Sequence, residues 1–590
     1  MATESFFSNA SLAYLASAGA GKDGKTYSIK PTDGSGDFTF SRGSNLSATR
    51  VGPTGLIEKG RENLLTYSND FSNADWVKSS TSVTSGQTGY DGSSDAWLLE
   101  RTGASAYLQQ TNSDSGVLCY SVYLKKGTYN WAYVRVQDSA GYRGVYFDLE
   151  NATTGLVDSG IIDYNIEAIG TNGWYRCSIV LNSTLVRAFV YPSASNNGVF
   201  LAGTGDIYIQ DAQLEIGLAA TDYIESGATT GKAGLLEDEP RFDYSGGATC
   251  PSLLLEPSRT NLVSYSEYIE EADQLADAQI LTTTDATPEG TNNARVLAYD
   301  GGTNQHYSAF TPSVTNGETY TFSVFLKKKE LSYAALVFLN DYAGRFFDLE
   351  TGTILGTIGG TLIDSKIEDY GNGWYRCSIT DVATSTSKFS GIFLSGNGTS
   401  IGPFVPTGTD GLYIYGAQVE AGSYPTSYIP NHSGGSVTRG VEGQTYSGFS
   451  SLMGQTEGTL FLEIDSAENG TEIFSLNRST ANSIFLTASL SLYRAFIYSD
   501  GTSISSFTSI NVSDRIKIAI AYQSNNFAIY ANGLQVYTNN SLNWTPNILI
   551  DSLNFNVGGY VTSKGVARYN QVLLFKERLS NADLATLTTL

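Results

Sequence analysis

Apolar and polar residues alternate with a period of two along most of the chain, the signature of strands with one buried face. In the run Tyr120-Ser121-Val122-Tyr123-Leu124-Lys125, the residues Tyr120, Val122 and Leu124 share one face and Ser121, Tyr123 and Lys125 the other. Arg515 to Tyr522 sets Ile516, Ile518 and Ile520 on one face in the same way. Phe527-Ala528-Ile529-Tyr530 and Leu534-Gln535-Val536-Tyr537 flank Ala531-Asn532-Gly533, and Asn-Gly between alternating runs predicts a hairpin. Helix is expected only as a turn over Asn69 to Trp76 and as a short terminal helix opened by Ser580-Asn581-Ala582-Asp583. Ser11 to Ala20 reads either as a short helix or as an extended arm.

The same blocks occur twice in the same order, about 200 residues apart. Asn63-Leu64-Leu65-Thr66-Tyr67-Ser68 returns as Asn261-Leu262-Val263-Ser264-Tyr265-Ser266, with Arg61 and Arg259 two positions ahead. Tyr120 to Lys126 returns as Phe322 to Lys328, and Phe147-Asp148-Leu149-Glu150 as Phe347-Asp348-Leu349-Glu350. Asn172 to Ile179 and Asn372 to Ile379 are identical, both reading Asn-Gly-Trp-Tyr-Arg-Cys-Ser-Ile. Ala212-Gln213-Leu214-Glu215 with Tyr223-Ile224 answers Ala417-Gln418-Val419-Glu420 with Tyr428-Ile429. Residues 61–226 and 259–430 are therefore two copies of one domain, and strands separated by Gly, Asn, Asp and Ser clusters predict a jelly-roll β-sandwich for each. Residues 455–590 share none of these blocks and read as a different sandwich. The expected division is 1–60 as an attachment or oligomerisation segment, 61–230 and 259–432 as the repeats, 231–258 and 433–454 as linkers, and 455–590 as a terminal domain.

Composition narrows the function. The 590 residues suffice for several domains, and 38 Tyr, 62 Gly, 2 Met and 2 His suit many short strands joined by tight turns. A net charge of −23, from 35 Lys and Arg against 58 Asp and Glu, argues against nucleic-acid binding. No apolar run approaches the ~18 residues of a membrane helix, and Met1 to Phe7 has no basic segment ahead of an apolar one. A soluble protein made in a cytoplasm, with no membrane insertion, is expected. Cys119, Cys177, Cys250 and Cys377 are too dispersed for a zinc site, and His306 and His432 are isolated. All four cysteines are expected reduced inside strands, with a Cys119–Cys177 disulfide as the alternative.

Two resemblances follow from these motifs. The hairpin Ile529 to Val536, the strand Leu573 to Phe575 and Leu579 to Leu584 resemble the end of a concanavalin A-like or laminin-G-like lectin domain. Residues 38–430 resemble the tandem fibre-repeat domains of tailed-bacteriophage virion appendages, which look like carbohydrate-binding jelly rolls. The residues that carry this likeness are Phe38 to Ser44, Ala48 to Val51, Gly55 to Glu58, the Asn63 opening, the Gly-Trp-Tyr-Arg core, the ending at Glu215, Pro240 to Tyr244, and Leu253 to Asn261. The resemblance implies an all-β head or tail fibre or spike on the virion surface, with two jelly rolls, a terminal lectin-like sandwich and a short N-terminal docking segment. It implies a homo-oligomer, a trimer being favoured, that contacts other virion proteins and a host surface glycan.

On Trp174 to Ile179, Tyr175 shares the parity of Cys177 and Ile179, so these three should face the core. Trp174 and Arg176 should then face outward, as should Trp374 and Arg376, and Tyr208 and Tyr413 by the same reasoning. A Trp beside an Arg offers a platform for a sugar ring and donors for its hydroxyls; the alternative is packing against a loop or a neighbouring subunit. Asp148 with Glu150, and Asp348 with Glu350, read as strand-end turns, as Ca²⁺ ligands or as glycosidase acids. Lys327-Lys328-Lys329 reads as a solvated strand end beside Glu330. No nucleophile elbow, zinc motif, P-loop or dinucleotide fingerprint is present. The expectation is a non-enzymatic glycan-attachment appendage without a cofactor, Ca²⁺ being left open. The alternatives are a purely structural capsid decoration fibre and a polysaccharide-degrading enzyme with binding modules.

Overall fold

In the computed structural model, residues 2–590 are described apart from 20, 44–45, 185, 200–202, 303, 341, 403, 405, 469–471, 477–481, 500–501, 545–548 and 556–565. Ala20 of the N-terminal arm and Ser44 of the Phe38 motif therefore lie outside the described residues.

The alternating strand Gly116–Lys126 sits at the centre of a six-stranded sheet, between Trp174–Ser183 and Gly205–Ile216. Its inward residues Tyr120, Val122 and Leu124 meet Val134, Val145 and Phe147 of a second six-stranded sheet, and this contact is the core of the first repeat. The first sheet runs in the order Asp163–Ile169, Trp174–Ser183, Gly116–Lys126, Gly205–Ile216, Ala96–Arg101, Thr81–Gln87. The second runs Thr153–Val157, Gly141–Asp148, Trp131–Asp138, Val186–Ser193, Tyr107–Asn112, Val77–Ser79. Strand for strand, the second copy repeats both orders, from Asp364–Asp369 to Ala278–Thr282 and from Thr353–Gly359 to Gln274–Ala276. Asn69 to Trp76 forms successive tight turns, through Asn73 N–H to Asp70 C=O and Trp76 N–H to Asn73 C=O.

The recurrent polar residues are a buried clasp that shuts each sandwich. Asn63 Nδ2 donates to the carbonyls of Ala212 and Ile224 at 3.0 and 2.9 Å, and its Oδ1 accepts from Leu65 N and Leu214 N. Gln213 donates to Glu215 at 2.7 Å and accepts from Ile224 N, while Glu215 accepts from Thr221. Asn261, Gln418, Glu420 and Thr426 reproduce the pattern in the second copy. Buried polar groups are tolerated only when paired, which explains why these side chains recur together.

The terminal sandwich departs from the expected division. One of its sheets places Arg241–Asp243, Ser252–Leu255, Ala567–Phe575, Glu457–Ala467, Ile516–Gln523, Phe527–Ala531 and Leu534–Asn539 side by side, and Leu12–Leu15 also pairs with Ala567–Phe575. The facing nine-stranded sheet begins Gly21–Lys22, Lys25–Thr26, Phe38–Ser41 and Gly443–Ser447 before reaching Ser552–Phe555 and Glu472–Leu476. Residues 1–60 are thus not a separate attachment segment, and 231–258 and 433–454 are not merely linkers: all three contribute strands to this sandwich. Leu12, Tyr14, Phe38, Phe40, Phe242 and Leu253 are buried in its core. The arm reading of Ser11 to Ala20 resolves into strand Leu12–Leu15 and a single 3-10 turn, Ala16–Ala18.

The chain consequently crosses between the terminal sandwich and the repeats four times, after Ser41, Gly234, Leu255 and Arg439. At these crossings lies a solvent-free charge network. Arg241 forks onto Glu442 and reaches Glu256 at 2.8 Å, Arg439 meets Glu256 at 2.7 Å, and Arg42 meets Glu442 at 3.2 Å. Its arginines hold Glu256 below the usual carboxylate range against the opposing effect of burial.

The hairpin and the terminal helix form as expected. Asn532 and Gly533 take φ of 48° and 83°, the turn that matches strand twist. The helix Asn581–Thr588 starts at Ser580, whose side chain accepts from Asp583 N. Cys119, Cys177 and Cys377 are buried in strands with thiols pushed up by burial, whereas Cys250 is an exposed loop residue, contrary to expectation. Cys119 and Cys177 are unpaired and lie in different clusters on opposite faces of their sheet.

Candidate functional site

The parity of Trp174 to Ile179 is as read: Cys177 and Ile179 enter the sandwich, and Trp174 and Arg176 point to the other side. That other side, however, is not solvent. Trp174 and Trp374 are each 1% exposed, and Arg176 and Arg376 are 7% and 2% exposed. Alternation assigns a side chain to a face of the sheet but says nothing of what covers that face.

In the first repeat the cover is the segment around Tyr90. Its ring stacks on Tyr123 with centroids 4.1 Å apart and meets Trp174 edge-on at 6.4 Å. In the second repeat the cover includes Ile57, which arrives from the strand Ile57–Asn63, and Trp374 Nε1 donates to the Ala286 carbonyl at 3.1 Å. Arg176 and Arg376 donate to Ser121 and Ser323 and lie over Tyr123 and Phe325. Of the six predicted sugar contacts, Tyr208 and Tyr413 alone keep partial solvent access, and the Tyr413 hydroxyl donates to Asp285 at 2.8 Å.

Beneath this cover, the strand Gly205–Ile216 slips register at Asp211, which adopts φ 47°; Gly416 holds the equivalent place at φ 59°. Asp211 accepts from the Tyr90 hydroxyl at 2.8 Å, and burial pushes its carboxyl up to about 7. The acidic pairs form strand-end turns. Asp148 Oδ1 accepts from the backbone of Glu150 and Asn151, Asp348 does the same for Glu350 and Thr351, and Glu150 and Glu350 pair with Lys126 and Lys328. Lys329 pairs with Glu330.

The aromatic residues most open to solvent among the described residues of the repeats were not among the predicted contacts. Counted back from the shared Phe-Asp of Phe147-Asp148 and Phe347-Asp348, Tyr142 and Tyr342 hold the same position, at the end of the same hairpin, and are 50% and 57% exposed. Tyr142 lies across the Arg135 guanidinium, 3.5 Å from its ring centroid. Arg135 is nine-tenths buried among Tyr133, Tyr191 and Phe189, and its Nε has no hydrogen-bond partner among the described residues. The first repeat thus carries a ring braced from below by a fixed cation. In the second repeat Ala335 and Val337 stand where Tyr133 and Arg135 do, so Tyr342 lacks that support. The sequence signal was present, since the two tyrosines share a spacing from a recurrent block.

No model of a known protein family matches the chain, and no curated protein matches it in sequence. Among solved structures, it is similar to domain 4 of the GH43 extracellular arabinanase AbnA from Geobacillus stearothermophilus, at 11% identity over 25% of this chain and 73% of that one, with a TM-score of 0.22. It is also similar to the Ruminococcus gnavus IT-sialidase CBM40 bound to α2,6-sialyllactose, at 13% identity over 24% of this chain and 92% of that one, with a TM-score of 0.21. Mouse laminin α1 chain domains LG4-5 match at 10% identity over 46% of this chain and 86% of theirs, with a TM-score of 0.17. Likenesses of this size carry no argument about activity.

Proposed function

We propose that the chain is a non-enzymatic subunit of a tailed-bacteriophage head or tail fibre, made in the host cytoplasm and displayed on the virion surface, that attaches to host surface glycans. The observation that carries the glycan reading is the pair Tyr142 and Tyr342, one half-exposed ring at the same hairpin end of each repeat. A tyrosine gives a sugar an apolar face to stack on and a hydroxyl to bond, and Arg135 holds the Tyr142 ring in place. Each contact is weak alone. A homo-oligomer, with a trimer as the favoured state, multiplies them into useful avidity. The virion reading rests on the sequence motifs of residues 38–430.

The test is adsorption of purified protein to host cells and a glycan array, with Tyr142→Ala, Tyr342→Ala and the double variant. Tyr342 is exposed, and its substitution should change stability by less than about 0.5 kcal/mol; Tyr142→Ala also removes the contact with the Arg135 guanidinium, so circular dichroism of each variant accompanies the binding measurement. The expected result is a loss in each single variant and a larger loss in the double. Unchanged adsorption by the double variant overturns the assignment to these tyrosines. Absence of antibody label for residues 455–590 on purified particles overturns the virion reading.

A further inference from the structure

The two repeats do not merely follow one another in sequence; a charged seam joins them. Lys59, on the strand Ile57–Asn63, extends to Glu267 and Glu289 of the second repeat, with Nζ 3.2 and 2.7 Å from their carboxylates. Arg61 approaches Glu289 at 3.6 Å, and His432 Nε2 lies 3.2 Å from Glu267. Backbone bonds cross the seam as well, from Val117 N to His432 O and from Ile57 N to Pro288 O. Burial alone would push the Glu267 carboxyl up and the Lys59 ammonium down. Their mutual attraction, with help from Glu289 on the lysine and His432 on the glutamate, reverses both, so the pair stays ionised.

Between these groups the seam does not close. It leaves a partly open cavity of about 250 Å³, room for a cluster of waters or for one six-membered sugar ring. Its lining mixes apolar residues, Leu46, Leu64, Leu218, Pro430 and Val437, with the charged groups. Two buried polar atoms of lining residues, His432 Nδ1 and Asn293 Oδ1, have no hydrogen-bond partner among the described residues. Orphaned atoms of this kind are costly unless a hydroxyl or a water meets them.

We infer that this cavity is a binding site for a single neutral sugar ring or a polyol of that size, which would dock between the repeats. The lining disfavours an anion: five carboxylates, Glu62, Glu215, Glu237, Glu267 and Glu289, stand against two cations, Lys59 and Arg61, and both cations are already held by Glu267 and Glu289. An anionic ligand would add a buried negative charge with no partner. A sugar instead offers hydroxyls to His432 and Asn293 and its C–H face to the leucines, the mixed lining that small-molecule sites use.

The test is saturation-transfer NMR of the full chain with glucose, galactose and mannose, and with glucuronate as the anionic comparator, each at about tenfold above ~1 mM. The wild-type chain should transfer to at least one neutral hexose and not to glucuronate. Ala219→Trp and Ser115→Trp, both at the solvent-accessible rim of the cavity, should each cut that transfer at least about tenfold while circular dichroism stays unchanged. The inference is overturned if no neutral hexose receives transfer, which means the cavity holds water only, or if both tryptophan variants transfer as the wild type does. The double variant Tyr142→Ala/Tyr342→Ala tells the two kinds of site apart: it should leave this transfer intact, so failure here and failure of the tyrosine contacts are read separately.

Discussion

A single side chain decides whether a mutation reports on folding or on attachment. Trp174 is enclosed by Tyr90, Tyr123 and Ala96, so Trp174→Ala should cost the first repeat about 3–5 kcal/mol through the void it leaves. Urea denaturation followed by tryptophan fluorescence measures this, and any loss of adsorption in that variant should track the unfolded fraction. Asp211 gives the opposite kind of signal, a dependence on pH. Its unfolded carboxyl ionises near the usual ~4, while in the folded protein burial holds it protonated up to about 7. The folded state therefore keeps the extra proton between those values, and stability falls as pH rises through that window and is level on either side. Asp211→Asn keeps an acceptor for Tyr90, suits the left-handed backbone and cannot ionise. The variant should match wild type near pH 4 and gain a progressively higher melting temperature up to pH 8.

At the scale of strands and turns, the legible features were those governed by local chemistry. Alternation placed Tyr120, Val122 and Leu124, Asn532-Gly533 set a hairpin, and Ser580 capped a helix, because each depends on residues only a few positions apart. The twin topology was legible for a related reason: in each copy the recurrent asparagine, Asn63 or Asn261, bonds the backbone of the closing strand, and the glutamine and glutamate that follow bond each other. What escaped was every feature set by long-range covering. The cover on Trp374 comes in part from Ile57, more than 300 positions away in sequence, and no periodicity records it. The strands Leu12–Leu15 and Arg241–Asp243 read as an arm and a linker because their partner, Ala567–Phe575 with its neighbour Ser252–Leu255, is remote or brief. Arg42, Arg241 and Glu256 lie within the recognised motifs but were given no role, since only the fold brings them to Arg439 and Glu442 in the stretch read as a linker. Glu442→Gln removes one of the two carboxylates that the three guanidinium groups share and should cost about 3–5 kcal/mol. Limited proteolysis should then find the crossings near Pro240 and Gly440 newly sensitive.

Across the whole molecule, both ends of the chain belong to one sandwich, and each repeat is an insertion into it. Removal of residues 2–41 takes Leu12–Leu15 from beside Ala567–Phe575 and Phe38–Ser41 from beside Gly443–Ser447. A fragment limited to 455–590 lacks these strands and the pair at 241–255 as well, and should be recovered aggregated or without a cooperative melting transition in calorimetry. The two repeats, whose strand pairings are largely their own, should still melt cooperatively after the 2–41 deletion. The four crossings also bear on how the molecule carries tension. A domain strung on a single tether transmits a pull through one length of backbone, and one break sets it adrift. Here each repeat is moored by two, after Ser41 and Gly234 for the first and after Leu255 and Arg439 for the second. A load between a held sandwich and a held repeat divides along parallel paths, and one protease cut at any crossing leaves the repeat attached by the other.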